Sequence, residues 1–178
     1  MFTTNNSSPN VVVIDNFYNN PDQIRKRALE THKQSSEWWK GRRSFPIPCE
    51  EIEHLIPTFE RALGISLKDY NIRSQFHIHD KETPIVYHRD LQPWAAVIYL
   101  CPDAPLECGT STWNRKNGVN LNTDPVLDGA WWDEIDRVGN VYNRCIIFNA
   151  KQIHSVSGYF GDSDDNRRLV QLFFFDNK

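Results

Sequence analysis

Net charge, paired cysteines and long apolar runs are all scarce in this sequence. Lys and Arg number 20 against 23 Asp and Glu, a net charge of −3. No overall positive field therefore draws the chain to nucleic acid or to an anionic membrane, and neither is an expected partner. The four cysteines, Cys49, Cys101, Cys108 and Cys145, form no CxxC pair. That argues against a disulfide framework and for reduced packing residues. The early apolar run Val11–Ile14 is far too short to span a bilayer. The polar start Met1–Asn10 lacks the basic and apolar regions of an export signal, so a soluble, cytoplasmic protein is the expectation.

What is present fits one globular unit. The chain has 178 residues, 39% of them apolar and 24% charged, enough to close a single core. Residues 1–10 read as a flexible tail and 11–178 as one domain. Six Trp, ten Phe and six Tyr supply large buried area. Val11–Ile14 reads as a strand, and Asn20-Pro21-Asp22 as a helix start with Asn20 capping. Ile24, Ala28, Leu29 and His32 form the inward stripe of that helix. A second helix is expected from Glu50 to Leu63, stopped by Gly64.

From about residue 71 the pattern becomes a series of short strands. They are expected at Ile72–His79, Ile85–His88, Ala95–Leu100, Thr110–Trp113, Arg144–Phe148, Gln152–Val156 and Leu169–Phe175, separated by Pro, Gly, Asn and Asp. Such a series points to a sandwich or jelly-roll barrel. Asp124–Val138 interrupts the series and is expected to hold a short helix carrying Trp131 and Trp132. The expected architecture is α+β, with supporting helices packed on a jelly-roll core of about 71–178.

The chemistry concentrates in three places. His88 and Asp90 are two apart, so in extended backbone they aim at one point. His154, in the run Gln152–Val156, can complete a face of three ligands. Two His and one carboxylate on one face leave the opposite coordination positions open, as in non-haem Fe(II) oxygenases. Arg167-Arg168 then opens the apolar strand ending at Phe175. A guanidinium at a buried strand end requires an anion, and it pairs bidentately with carboxylate. A 2-oxoacid with a second carboxylate would reach the metal at one end and this arginine at the other.

In order, Tyr87-His88-Arg89-Asp90, Val97-Ile98-Tyr99-Leu100, Cys108-Gly109-Thr110-Ser111-Thr112, Ile153-His154-Ser155 and Arg168-Leu169-Val170 resemble the 2-oxoglutarate/Fe(II)-dependent oxygenase superfamily. The likeness is to its prolyl-4-hydroxylase-like branch, which the entry strand Val12–Phe17 also resembles. The resemblance implies a double-stranded β-helix and an Fe(II) held by His88, Asp90 and His154. It further implies 2-oxoglutarate and O₂ as co-substrates, with Arg168 clamping the distal carboxylate and the Tyr99 hydroxyl beside it. Arg167 is the competing clamp. The loop Ser155–Arg167 is a few residues longer than the family's spacing, and Gly109 stands alone where the family often has two glycines. Asp90 favours hydroxylation over halogenation, because halogenating members lack the carboxylate ligand. The expected substrate is a small metabolite or a peptide side chain.

Several rival readings stand beside this one. His77-Ile78-His79-Asp80 could bind zinc, while Gln75 and His77 share a face and could instead contact co-substrate or substrate. The basic stretch Arg25–Arg43, with Trp38-Trp39 inside it, could face nucleic acid but reads more simply as a solvated face. Trp113, Trp131 and Trp132 read as packing. A non-redox, metal-dependent cupin-like isomerase or ligand-binding module would keep the three metal ligands but have no use for the arginine clamp.

Overall fold

The computed structural model describes residues 10–117 and 129–178. Among these residues two antiparallel sheets are formed. Their strands are β1 (Val11–Ile14), β2 (Lys33–Ser35), β3 (Arg42–Ser44), β4 (Tyr70–His79), β5 (Trp94–Tyr99), β6 (Thr110–Arg115), β7 (Trp132–Val138), β8 (Cys145–Asn149), β9 (Ile153–Val156) and β10 (Arg168–Asn177). The large sheet has the order β1-β8-β5-β10-β4-β3-β2 and the small sheet β7-β6-β9. With the helices this is an α+β fold, as expected.

The central strand β10 explains the layering. It is flanked by β4 and β5, with Val170 opposite His77 on one side and Tyr99 on the other. Both faces of the sheet are covered here, so the strand reads as a near-continuous apolar run. Leu169, Phe173 and Phe175 turn towards the helices and join Ile72, Phe76, Ile98 and Phe59 in the larger core. Val170 turns the other way, with Leu172 and Phe174 packed beside it, towards Ala95, Val97, Tyr99, Ile146 and Phe148. Gln171 is the polar residue on the helix side. Its amide donates to Ser74 Oγ at 2.9 Å and its carbonyl accepts from the Tyr18 hydroxyl at 2.7 Å, so its burial leaves neither group unsatisfied.

Helix α1 (Pro21–Glu30) starts as the sequence indicates, with Pro21 in the first turn and the Asn20 side chain accepting from the Gln23 amide. His32 does not extend its stripe: it is exposed and lies beyond the helix end. The expected helix from Glu50 to Leu63 is broken into α2 (Cys49–Ile52), a 3-10 turn (Glu53–Leu55) and α3 (Ile56–Leu63). Pro57 accounts for the break, because it has no amide hydrogen and its ring crowds the carbonyl four residues back. Gly64 closes α3 in the left-handed conformation (φ 68°), donating to Glu60 O at 2.8 Å.

Two further expectations are corrected. Ile85–His88 is not a strand; only His88 pairs, in an isolated bridge with His154. Pro84 cannot donate to a ladder, and the apolar residues after it do not continue one. The expected helix over Asp124–Val138 begins outside the described residues, and its described part is a 3-10 turn (Gly129–Trp131) followed by strand β7. Residues 133–137 of β7 are exposed, so no buried stripe marks their period, and backbone pairing with β6 decides the conformation. The cysteines are all free, with Cys101, Cys108 and Cys145 buried. Among the described residues no helix is long and apolar enough to cross a membrane.

Phe59 is 1% exposed and packs its ring against Phe17, Phe173 and Phe175 at centroid distances of 5.5, 5.1 and 5.2 Å. It joins α3 to the large sheet. Phe59→Ala should lower the unfolding free energy by about 3–5 kcal/mol, read from urea denaturation; a loss below about 1 kcal/mol would mean this contact does not anchor the helix layer.

Candidate active site

A cavity of about 750 Å³ opens between the sheets, and its wall includes Gln75, His77, His79, His88, Asp90, His154 and Arg168. The β4 residues Gln75, His77 and His79 alternate onto one face, and the register sets His79 opposite Arg168 and Arg43 opposite His77. Facing residues of an antiparallel pair project to the same side, so β3, β4 and β10 together present one polar wall.

His88, Asp90 and His154 come together at the cavity. Each offers one ligand atom, and these atoms lie within 4.8 Å of one another. Backbone bonds hold the arrangement: His88 N donates to His154 O at 3.1 Å, His154 N to His88 O at 2.8 Å, and Asp90 N to Ala150 O at 2.8 Å. Each imidazole has its Nδ1 against a carbonyl, Val86 O at 3.0 Å for His88 and Gln152 O at 2.9 Å for His154. With Nδ1 donating, both Nε2 lone pairs are free and turned to Asp90, at 3.7 and 3.5 Å. Metal-binding histidines are oriented by this kind of carbonyl contact.

The electrostatics suit a cation. Burial, aided by His154, pushes His88 below its ordinary value, which keeps it a neutral ligand. Burial pushes the Asp90 carboxyl up, but its neighbours His154, His88 and Arg43 outweigh it, and the group is held below the usual carboxylate range. Two imidazoles and a carboxylate are the donor set for a borderline divalent metal with open positions, and the residues present fit Fe(II).

The two arginines separate clearly. Arg167 forms ion pairs with Asp80 and Asp164 at 2.8 and 2.7 Å, away from the cavity wall. Arg168 lines the cavity and is 2% exposed. Its guanidinium reaches only Cys108 O and Gly109 O, at 3.4 and 3.5 Å, and lies 5.7 Å from the Tyr99 ring centre. Among the described residues no carboxylate pairs with it. Tyr99 itself is fully buried behind the wall; its hydroxyl donates to Thr110 Oγ1 at 2.9 Å, and Thr110 lines the cavity.

The rival zinc group is not assembled among the described residues. The His77 and His79 ring centres are 3.8 Å apart, the planes tilted by 46°, but Asp80 is drawn to Arg167, and His77 Nε2 is bonded to Lys40 O at 2.6 Å. The basic stretch disperses into local contacts. Arg25 donates to Leu100 O and Asp165 O, Arg27 pairs with Glu51 and Arg42 with Asp164. Trp113 and Trp132 pack around Tyr87. Sequence reasoning missed Trp39, Arg43, Thr110 and Tyr159 as wall residues. For Arg43 a signal existed: Arg42 and Arg43 alternate in a short strand, so one of the two must face inward.

No protein-family model and no curated protein sequence matches the chain. Solved structures do. HygX from Streptomyces hygroscopicus, solved with nickel and 2-oxoglutarate bound, superposes with a TM-score of 0.63 at 11% identity, over 96% of this chain and 84% of that one. A Pseudomonas putida prolyl-4-hydroxylase gives 0.57 at 13% identity, over 95% and 93%. The non-haem, alpha-ketoglutarate-dependent carbocyclase SnoK from nogalamycin biosynthesis gives 0.61 at 13% identity, over 96% and 80%. At these identities the likeness is one of fold.

The buried pair His77 and His79 makes stability sensitive to acid. Burial holds both well below the ordinary histidine value, reinforced by Arg43 for His77 and by His77 and Arg168 for His79. Below about pH 6.5 the unfolded chain therefore binds more protons than the folded one, so folding stability falls as pH drops. Unfolding free energies from urea titrations at pH 7 and pH 5.5 should differ by about 1 kcal/mol for each of the two histidines. His79→Phe should remove its share of that loss; an unchanged pH response would mean His79 is not held neutral.

Proposed function

We propose that residues 11–178 form a single Fe(II)- and 2-oxoglutarate-dependent oxygenase domain with a double-stranded β-helix core, hydroxylating a small molecule or peptide side chain. One observation carries the reading. A two-His, one-carboxylate cluster and a buried Arg168 with no carboxylate of its own open onto the same cavity. A dicarboxylate that chelates at one end and carries its second charge at the other satisfies both. The fold shared with HygX and the Pseudomonas prolyl-4-hydroxylase supports it. A HygX structure also holds hygromycin B, which favours a small-molecule substrate here.

His88, Asp90 and His154 would hold Fe(II), with the Val86 and Gln152 carbonyls fixing the ring orientations. Bound Fe(II) with 2-oxoglutarate and O₂ supplies the oxidising power to functionalise a C–H bond. The chain's own work is orientation and exclusion of water. Arg168 takes the distal carboxylate in a bidentate pair. Tyr99 acts behind it, its hydroxyl fixing Thr110 and its ring backing the guanidinium. Gln75 and His77 line the same wall, within reach of co-substrate or substrate. Arg167, tied to Asp80 and Asp164, has no part in the clamp. A cupin-like isomerase or ligand-binding module gives no role to an unpaired buried guanidinium, which costs several kcal/mol without an anion.

Anaerobic titration of the purified protein with Fe(II) and then 2-oxoglutarate tests this. A weak visible charge-transfer band should grow in and saturate. Arg168→Gln should weaken 2-oxoglutarate binding by about 2–3 kcal/mol, Arg167→Gln should leave it unchanged, and Asp90→Ala should abolish 2-oxoglutarate turnover. Stoichiometric metal uptake with no band would overturn the oxygenase reading.

A further inference from the structure

Arg43 is the feature of the cavity that the co-substrate leaves unexplained. It stands on β3 opposite His77 and lines the cavity. Its Nε is buried without a hydrogen-bond partner, and among the described residues no carboxylate forms an ion pair with it. Its guanidinium lies between two aromatic faces, 5.1 Å from the Trp39 ring centre and 5.8 Å from that of Phe174. The Trp39 indole Nε1 is also buried without a partner, and Trp39 lines the same cavity. Burial pushes Arg43 down to about 10, opposed by the Asp90 charge, so it is still a cation at neutral pH. A half-buried guanidinium whose Nε is buried and idle, beside an indole whose Nε1 is buried and idle, is otherwise expensive to keep.

The surroundings add to this. Five of the lining residues are Lys or Arg, against the two acids Glu37 and Asp90. The mouth carries Trp38, Phe45 and Leu91, which are 90%, 64% and 88% exposed. An apolar rim above an unpaired cation suits an amphipathic organic anion, its charge inside and its apolar body at the entrance.

The segment that carries Trp39 is fixed in place. His77 Nε2 donates to Lys40 O at 2.6 Å. Gly41 has φ +76°, and a Cβ there would meet Ile78 O at 2.5 Å and the His79 ring at 2.8 Å. Only glycine allows this backbone to lie so close to β4, and the closeness brings Trp39 and Arg43 to the wall.

We propose that Arg43 and Trp39 form a substrate-recognition site for a carboxylate or phosphate carried on an apolar or aromatic body. The site is separate from the Arg168 end where the co-substrate binds. The proposal rests on the cavity being the substrate chamber, but it needs neither metal nor 2-oxoglutarate for its test.

The test titrates phenylacetate, phenyl phosphate and neutral 2-phenylacetamide into the protein. Quenching of Trp39 is followed, taken as the difference from Trp39→Phe, with and without Ni(II) and 2-oxoglutarate. Both anions should bind more tightly than the amide. Arg43→Gln should weaken them about tenfold or more while leaving the amide unchanged. Arg43→Lys, which keeps the charge but loses the fork, should fall between, and it serves as the readout should the Gln variant fold poorly. The tighter of the two anions identifies carboxylate or phosphate as the natural group. Anion binding that persists in apo-protein, even if no 2-oxoglutarate complex forms, would uphold this site while the oxygenase reading fails. Equal binding of acid and amide, or no saturable anion binding in the millimolar range, would overturn it. So would a comparable loss of 2-oxoglutarate affinity in Arg43→Gln, which would place Arg43 in the co-substrate site.

Discussion

The two hydrogen bonds exchanged between the backbones of His88 and His154 are the constraint on which the rest of the site depends. His88 belongs to no strand, and β9 has only four residues. Without that exchange nothing in the described secondary structure would bring the two imidazoles together. With it, their rings sit at 4.4 Å and Asp90, anchored to Ala150 O, completes the group. The small sheet transmits the placement, because β9 pairs with β6 and sets His154 beside Thr112. Thr110 on the same β6 receives the Tyr99 hydroxyl from the large sheet. The ligand cluster and the arginine end of the cavity are thus tied through one strand.

Charge is distributed by the same logic. Most arginines reach a carboxylate or carbonyl at the surface, as Arg42, Arg144 and Arg167 do. Arg43 and Arg168 differ in facing the cavity without an acid of their own. Keeping two such cations costs stability, and the aromatic rings of Trp39, Phe174 and Tyr99 offset only part of it. They bracket His77 and His79, which stay neutral because both burial and the neighbouring guanidiniums oppose a further positive charge.

The sequence made some of this legible and hid the rest for physical reasons. Strands buried on both faces, such as β5, β8 and β10, announce themselves as apolar runs. His88, Asp90 and His154 were readable from residue types and spacing that suit a metal, and Arg168 because a guanidinium is costly to bury without purpose. Segments held by backbone pairing alone were not: exposed β7 carries no period, and the stretch before His88 looks like a strand but joins no ladder among the described residues. Pro57 split a helix whose apolar stripe is otherwise continuous. Arg43 was half-masked by its neighbours: alternation says that one of Arg42 and Arg43 faces inward, but in a run rich in Lys and Arg nothing local says which.

The β2–β3 hairpin occupies the edge of the large sheet, and the ligand cluster draws on none of its residues. One part of the cavity therefore holds the His88, Asp90 and His154 cluster while another, at the β2–β3 edge of the large sheet, forms part of its lining. Substitutions in the hairpin can reshape the entrance without disturbing the His88–His154 bridge, provided Gly41 is kept. The architecture separates the part of the protein that must stay constant from the part that can drift, and an ancestor with this layout could acquire new substrates by changing a few residues at one edge.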